Sequence, residues 1–217
     1  MARLYLFAEG QTEQTFADKV LKSHLAAVGV YLSKPVLIAH CRKKGVVHRG
    51  GGRRYEPMRN DILRFLKQDR ADDAFFTTMI DLYALHFGFP GMQAAEQLRY
   101  DPHLRVRSLE AAWFEDIGDE RFVPFLQLHE YEAWLFSQIS ELQYFYPHAR
   151  SRIARLEDIA NSVDSPELIN DGQHTAPSKR IIAEFPEYEG SKTTVGTQVG
   201  EIIGLRRIRE KCPHFDS

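Results

Sequence analysis

Glu9 and Glu13 stand four residues apart around a glycine, in the run Glu9-Gly10-Gln11-Thr12-Glu13. Two carboxylates at that spacing can share a hard divalent cation or hold two. Asp81, at the end of a β-rich run, and the pair Glu130 and Glu132 in His129-Glu130-Tyr131-Glu132 add further oxygen donors. No His or Cys pair stands at zinc spacing, so this donor set selects Mg²⁺ or Mn²⁺, ions that keep several waters and bind phosphate oxygens. Clustered carboxylates without a cation would repel one another and raise their pKa values. Two such ions about 4 Å apart would clamp the attacking and leaving oxygens of a phosphodiester. Each acid taken singly also reads as a helix N-terminal residue complementing the macrodipole. Lys179, in Pro177-Ser178-Lys179-Arg180, falls in the first turn of an expected helix, where a cation is disfavoured unless an anion such as phosphate compensates. A solvated lysine fits the local sequence equally well. His129 reads as a hydrogen-bonded structural residue in preference to an acid or base.

Positioning these groups falls to a succession of strands and helices. Residues 4–8 are apolar and read as a buried strand, Gly10 as the turn after it, and 11–27 as the following helix. Glu9 then lies at the carboxyl end of a strand, where open α/β sheets place their ligand sites. Residues 36–39 make a second short strand, 55–68 an amphipathic helix, and 74–80 a strand that ends at Asp81. Helix is expected over 91–100 and 101–116, and one further strand over 122–128 ends at the Glu130 segment. If the chain is still extended there, Glu130 and Glu132 share a face, whereas in a helix they diverge by about 200°. Glu130, nearer the strand end, is the first choice as ligand. Helices over 151–162, 178–185 and 197–209 follow, and Trp134 and Phe136 read as core. Strands separated by helices imply an α/β fold with a mainly parallel sheet covered on both faces. The expected division is an α/β core over 1–138 and a helical C-terminal extension packed on it over 139–217.

The chain has 217 residues, 43% of them hydrophobic and 27% charged, which suits a globular protein with a substantial core. No apolar stretch approaches the roughly 20 residues of a membrane span, and the start does not have the pattern of a signal peptide, so a cytoplasmic location is expected. Cys41 and Cys212 are too far apart in sequence to suggest a disulfide framework or a zinc site. The net charge of −2 argues against bulk attraction to nucleic acid but conceals a basic segment. Residues 40–55 read HCRKKGVVHRGGGRRY, with Arg42, Lys43, Lys44, Arg49, Arg53 and Arg54, two histidines and no acid. Such a loop or hairpin tip suits phosphate contacts along a nucleic-acid backbone, although charge runs are often only solvated.

Four motifs in order, EGQTE, FFTTMIDLYAL with FPG after it, RFVPFLQLHEYEAWLF, and PELINDGQHTAPSKRI, resemble the bacterial family of domain of unknown function 4276, a Toprim-like group. The similarity runs from about residue 4 to residue 215. It implies a Toprim-like α/β core related to topoisomerases, primases and OLD-type nucleases. In the latter an EGxTE-like motif supplies two metal carboxylates, which map onto Glu9 and Glu13. The Toprim Asp-x-Asp motif maps onto Asp81-Leu82-Tyr83, with Tyr83 in place of the second aspartate, so the resemblance leaves Glu130 or Glu132 to complete the set. It also gives Lys179 the place of a lysine near the scissile phosphate, and implies an ATPase partner in phage defence. The expected function is therefore Mg²⁺- or Mn²⁺-dependent phosphodiester cleavage of nucleic acid. The alternative is a catalytically silent Toprim-like module that docks on an ATPase or nucleic acid. No Walker-type motif occurs, so ATP dependence would come from a partner.

Overall fold

The computed structural model describes residues 1–43, 46–49, 55–169, 172 and 174–217. The chain divides into two compact units, Met1–Gln127 and Leu128–Ser217.

The first unit is an α/β fold built on six strands, all paired in parallel: β1 (Ala2–Ala8), β2 (Val30–Leu32), β3 (Val36–Leu37), β6 (Ala74–Asp81), β7 (Phe122–Val123) and β8 (Leu126–Gln127). The long pair β1 and β6 forms the centre, from Arg3 opposite Ala74 to Ala8 opposite Met79. Each outer lane is broken into two pieces. β2 and β3 lie in turn along β1, and β7 and β8 lie in turn along β6.

Both breaks contain a proline, Pro35 and Pro124, which has no N–H to give to a ladder. The continuous strand expected over 122–128 is thus two short ones. Thr78 bridges the second break, its hydroxyl donating to Phe125 O at 2.8 Å and accepting from Phe125 N at 2.9 Å. Asp81 therefore stays in register with Gln127 beyond the break.

Helices α1 (Gln11–Phe16) and α2 (Lys22–Ala27) are joined by a π-helical segment, Ala17–Leu21, in place of the single regular helix expected. Part of the basic segment forms an antiparallel hairpin of β4 (Ala39–Lys43) and β5 (Val46–Arg49). Helix α3 (Tyr55–Gln68) buries Met58, Ile62 and Leu66, and its Phe65 ring meets Phe7 edge-on at 5.2 Å. A short helix α4 (Met92–Glu96) precedes α5 (Pro102–Ile117), whose Trp113 packs on Phe122 at 5.3 Å and on Phe89 at 5.0 Å. Gly91 makes the α4 contact feasible: at φ 73° a Cβ there would stand 2.6 Å from Ala112 Cβ.

The second unit is helical, with α6 (Glu132–Leu135), α7 (Arg150–Asn161), α8 (Pro177–Glu184), α9 (Thr197–Lys211) and α10 (Pro213–Asp216). It has its own core of Trp134, Leu135, Leu142, Leu156, Phe185, Tyr188 and Ile208, with Phe136 also buried. Gly204, at φ 76°, breaks the regularity of α9. Among the described residues no helix is long and apolar enough to cross a membrane.

Candidate functional site

In a parallel sheet every strand delivers its C-terminal residue to one edge, and here β1, β6 and β8 deliver Glu9, Asp81 and Gln127. The first two are coupled: Glu9 N–H donates to Met79 O at 2.9 Å, and the Asp81 N–H donates to Glu9 Oε2 at 2.8 Å. The Glu9 carboxylate is thereby drawn toward the end of β6. Both acids are half-buried. Glu13, buried on the first turn of α1, reaches back and accepts from Gly10 N–H at 2.8 Å. A Cβ at Gly10 would lie 3.1 Å from that same Glu13 oxygen, so the absence of a side chain lets the turn close.

Gln127 has no place in the sequence-level set. It is 1% exposed, and neither its amide oxygen nor its amide nitrogen has a hydrogen-bond partner among the described residues. Buried amides are nearly always satisfied, so this one is an orphaned polar group in register with Asp81. Its only signal in the sequence was its place as the one polar residue in the apolar run 122–128.

Among the described residues no three His, Cys, Asp or Glu side chains are grouped closely enough to hold a metal ion. Mg²⁺, however, needs only one or two carboxylates when waters and substrate phosphates complete its shell. Glu9 and Asp81 fit that requirement as hard oxygen donors, and the amide oxygen of Gln127 is a third of the same kind.

The other expected carboxylates belong to the second unit, where they have protein partners. Glu130, 1% exposed, accepts from both the N–H and the hydroxyl of Ser178, the latter at 3.0 Å. This places a carboxylate at the N-terminus of α8, where it satisfies an orphan donor and complements the helix dipole. Lys179, the next residue, is exposed. Glu132 begins α6 and accepts from Tyr188 Oη at 3.4 Å, with Lys192 Nζ 3.5 Å from the same oxygen. Burial, followed by the negative charge of Glu132, pushes the Tyr188 hydroxyl well above the ordinary tyrosine range. Gly196 lets that ring approach, since a Cβ there would stand 2.6 Å from Tyr188 Oη. The bend that sends Glu130 and Glu132 to different partners is made at His129, buried and at φ 65°, the only non-glycine with positive φ among the described residues.

Of the basic residues, Arg42 and Lys43 lie on β4 and Arg49 on β5, while Lys44, Arg53 and Arg54 lie outside the described residues. The hairpin follows β3, which pairs with Phe7 and Ala8 at the carboxyl end of β1. Its strands therefore start from the edge that carries Glu9 and Asp81.

A family model, Domain of unknown function (DUF4276), matches residues 8–217, essentially the whole chain. The chain belongs to the DUF4276 family. No curated protein and no solved structure gives a significant match. Membership of DUF4276 spans both units, so the Glu9 edge and the Glu130 and Lys179 segment fall within one family-wide stretch of sequence.

Proposed function

We propose that this protein is a Mg²⁺- or Mn²⁺-dependent phosphodiester-cleaving enzyme acting on nucleic acid, with a Toprim-like site at the carboxyl edge of its sheet. The observation that carries the reading is the Glu9 carboxylate accepting the Asp81 N–H, which brings that carboxylate to the end of the adjacent parallel strand where Asp81 stands. Glu9 and Asp81 would hold the ion, with Gln127 supplying an amide oxygen. The bound ion would supply charge neutralisation at the phosphate and a more acidic water. Glu13 keeps Gly10 and the start of α1 fixed next to Glu9 and would be the group that accepts a proton from water. The basic hairpin supports a polyanionic substrate. Glu130 and Glu132 enter as groups that order the second unit, with Glu130 fixing the start of the helix that carries Lys179.

A second reading is a catalytically silent module that docks on an ATPase partner or nucleic acid. Tyr83 in the position of a second aspartate, and the engagement of Glu130 by Ser178, favour it.

The two separate by calorimetric titration of Mg²⁺ and Mn²⁺ into wild type and a Glu9→Ala/Asp81→Ala variant, followed by assay on plasmid and single-stranded DNA. Ion binding and cleavage confined to wild type support the enzyme. Absence of binding at millimolar metal supports the docking module.

A further inference from the structure

Four of the side chains that line one cavity of the second unit are charged, and they sort by element. Glu157, near the end of α7, and Asp164, in the turn after it, are acidic, whereas Arg207 and Lys211, in the last turns of α9, are basic. At i and i+4 the two cations share one face of that helix. Both helices pack on the 3₁₀ segment Phe136–Tyr144, whose Ser137 and Ser140 add hydroxyl groups to the lining. The cavity holds about 200 Å³, below the roughly 300–1,000 Å³ of sites for drug-sized ligands, so it suits a small molecule.

Opposite charges at contact distance attract by about 4 kcal/mol at the effective dielectric of a protein surface. These four do not pair with one another. Glu157, Asp164 and the Lys211 ammonium have no ion-pair partner among the described residues. Arg207 is held loosely. Its Nη1 stands 3.5 Å from Glu210 Oε2, a carboxylate that Arg206 engages more closely at 2.9 Å, and its Nε is buried with no hydrogen-bond partner among the described residues. The lining therefore keeps its acids on one element and its cations on another. A simple anion would be drawn to α9 and repelled by Glu157 and Asp164, and a simple cation would meet the reverse. A molecule with a carboxylate at one end and an ammonium at the other satisfies both.

We infer that this cavity binds a small zwitterion of the amino-acid class, its carboxylate toward Arg207 and Lys211 and its ammonium toward Glu157 and Asp164. None of Glu9, Asp81 and Gln127 takes part, so the inference stands or falls independently of the nuclease reading.

The test is saturation-transfer NMR with the full chain and each of the twenty standard L-amino acids at millimolar concentration, followed by calorimetry. At least one amino acid is expected to bind. Its methyl ester, which lacks the carboxylate charge, and its N-acetyl derivative, which lacks the ammonium, are each expected to bind about 10- to 150-fold more weakly. The double variants Arg207→Met/Lys211→Met and Glu157→Gln/Asp164→Asn are expected to show losses of the same size. All four side chains are half-buried or exposed, so an unchanged urea midpoint checks that the variants are folded. Binding of none of the twenty overturns the inference. Undiminished binding of either derivative also overturns it, by reducing the cavity to a site for a single charge. Full retention of affinity in both double variants overturns it as well, by placing the amino acid elsewhere on the protein.

Discussion

A buried amide that neither donates nor accepts lowers stability by about 1–3 kcal/mol relative to a side chain of the same shape with no polar atoms. Gln127 meets that description, so Gln127→Met is expected to raise the urea midpoint while weakening Mg²⁺ or Mn²⁺ binding about tenfold, the size of effect seen when groups around a metal site are removed. A lower midpoint would instead mean that the amide has a partner in the folded chain. Glu9 supports the complementary experiment. Its Oε2 accepts the Asp81 N–H, an interaction that a glutamine carbonyl can also make. Glu9→Gln should therefore leave thermal stability within about 0.5 kcal/mol of wild type. Ion binding by calorimetry should fall more than tenfold, because the charge and not the hydrogen bond is lost. Equal ion affinity in Glu9→Gln and wild type would remove this residue from the site.

At the scale of elements, Glu130 fixes where α8 begins. Glu130→Ala leaves the Ser178 N–H without its acceptor in a buried position and is expected to cost about 2–3 kcal/mol in chemical denaturation. Glu130→Gln retains one acceptor and should lose less, with ion binding unchanged; a fall in ion affinity for this folded variant would return Glu130 to the ligand set expected from its strand-end position. The sequence showed the elements whose pattern is long. Helix α3 spans the 55–68 expected, and β1 and β6 stand where apolar runs end in an acid. The outer lanes were less visible because two-residue strands carry no period, and Pro124, which cuts one of them, lies inside an apolar run. Glu9 and Asp81 were legible as strand-end acids. The partners of Glu130 and Glu132 were not, since Ser178, Tyr188 and Lys192 lie more than forty residues away and only the folded second unit brings them near.

For the whole molecule, the net charge of −2 hides how many carboxylates are held by arginine. Arg3 holds Asp73 below the ordinary aspartate range, and Tyr5 ahead of the Ala71 N–H does the same for Asp69, with Arg3 adding to it. Arg121 lowers Asp119, Arg99 lowers Glu96, Arg155 lowers Glu184, and Arg206 lowers Glu210. A carboxyl group whose folded-state pKa is depressed binds its proton more readily in the unfolded chain. The stability it contributes is present above the unfolded values, 3.8 for Asp and 4.5 for Glu, and is lost as pH falls through the lower folded values. The urea midpoint is therefore expected to hold between pH 7 and pH 5 and to fall steadily toward pH 3. Most of these groups lie at the surface, where salt screens them, so added salt should reduce the contrast between pH 5 and pH 3. Arg121 is the exception in kind, because its guanidinium also donates to Asp69 O at 2.7 Å and to Leu66 O at 3.2 Å, tying the end of α3 to the chain entering β7. Arg121→Ala should cost about 2 kcal/mol at pH 7, where the charged donor is lost along with the pair. It should cost less once the pH has fallen through the depressed folded-state pKa of Asp119, where protonation removes the ion pair. A cost that stays constant across that range would assign the effect to the carbonyl contacts alone.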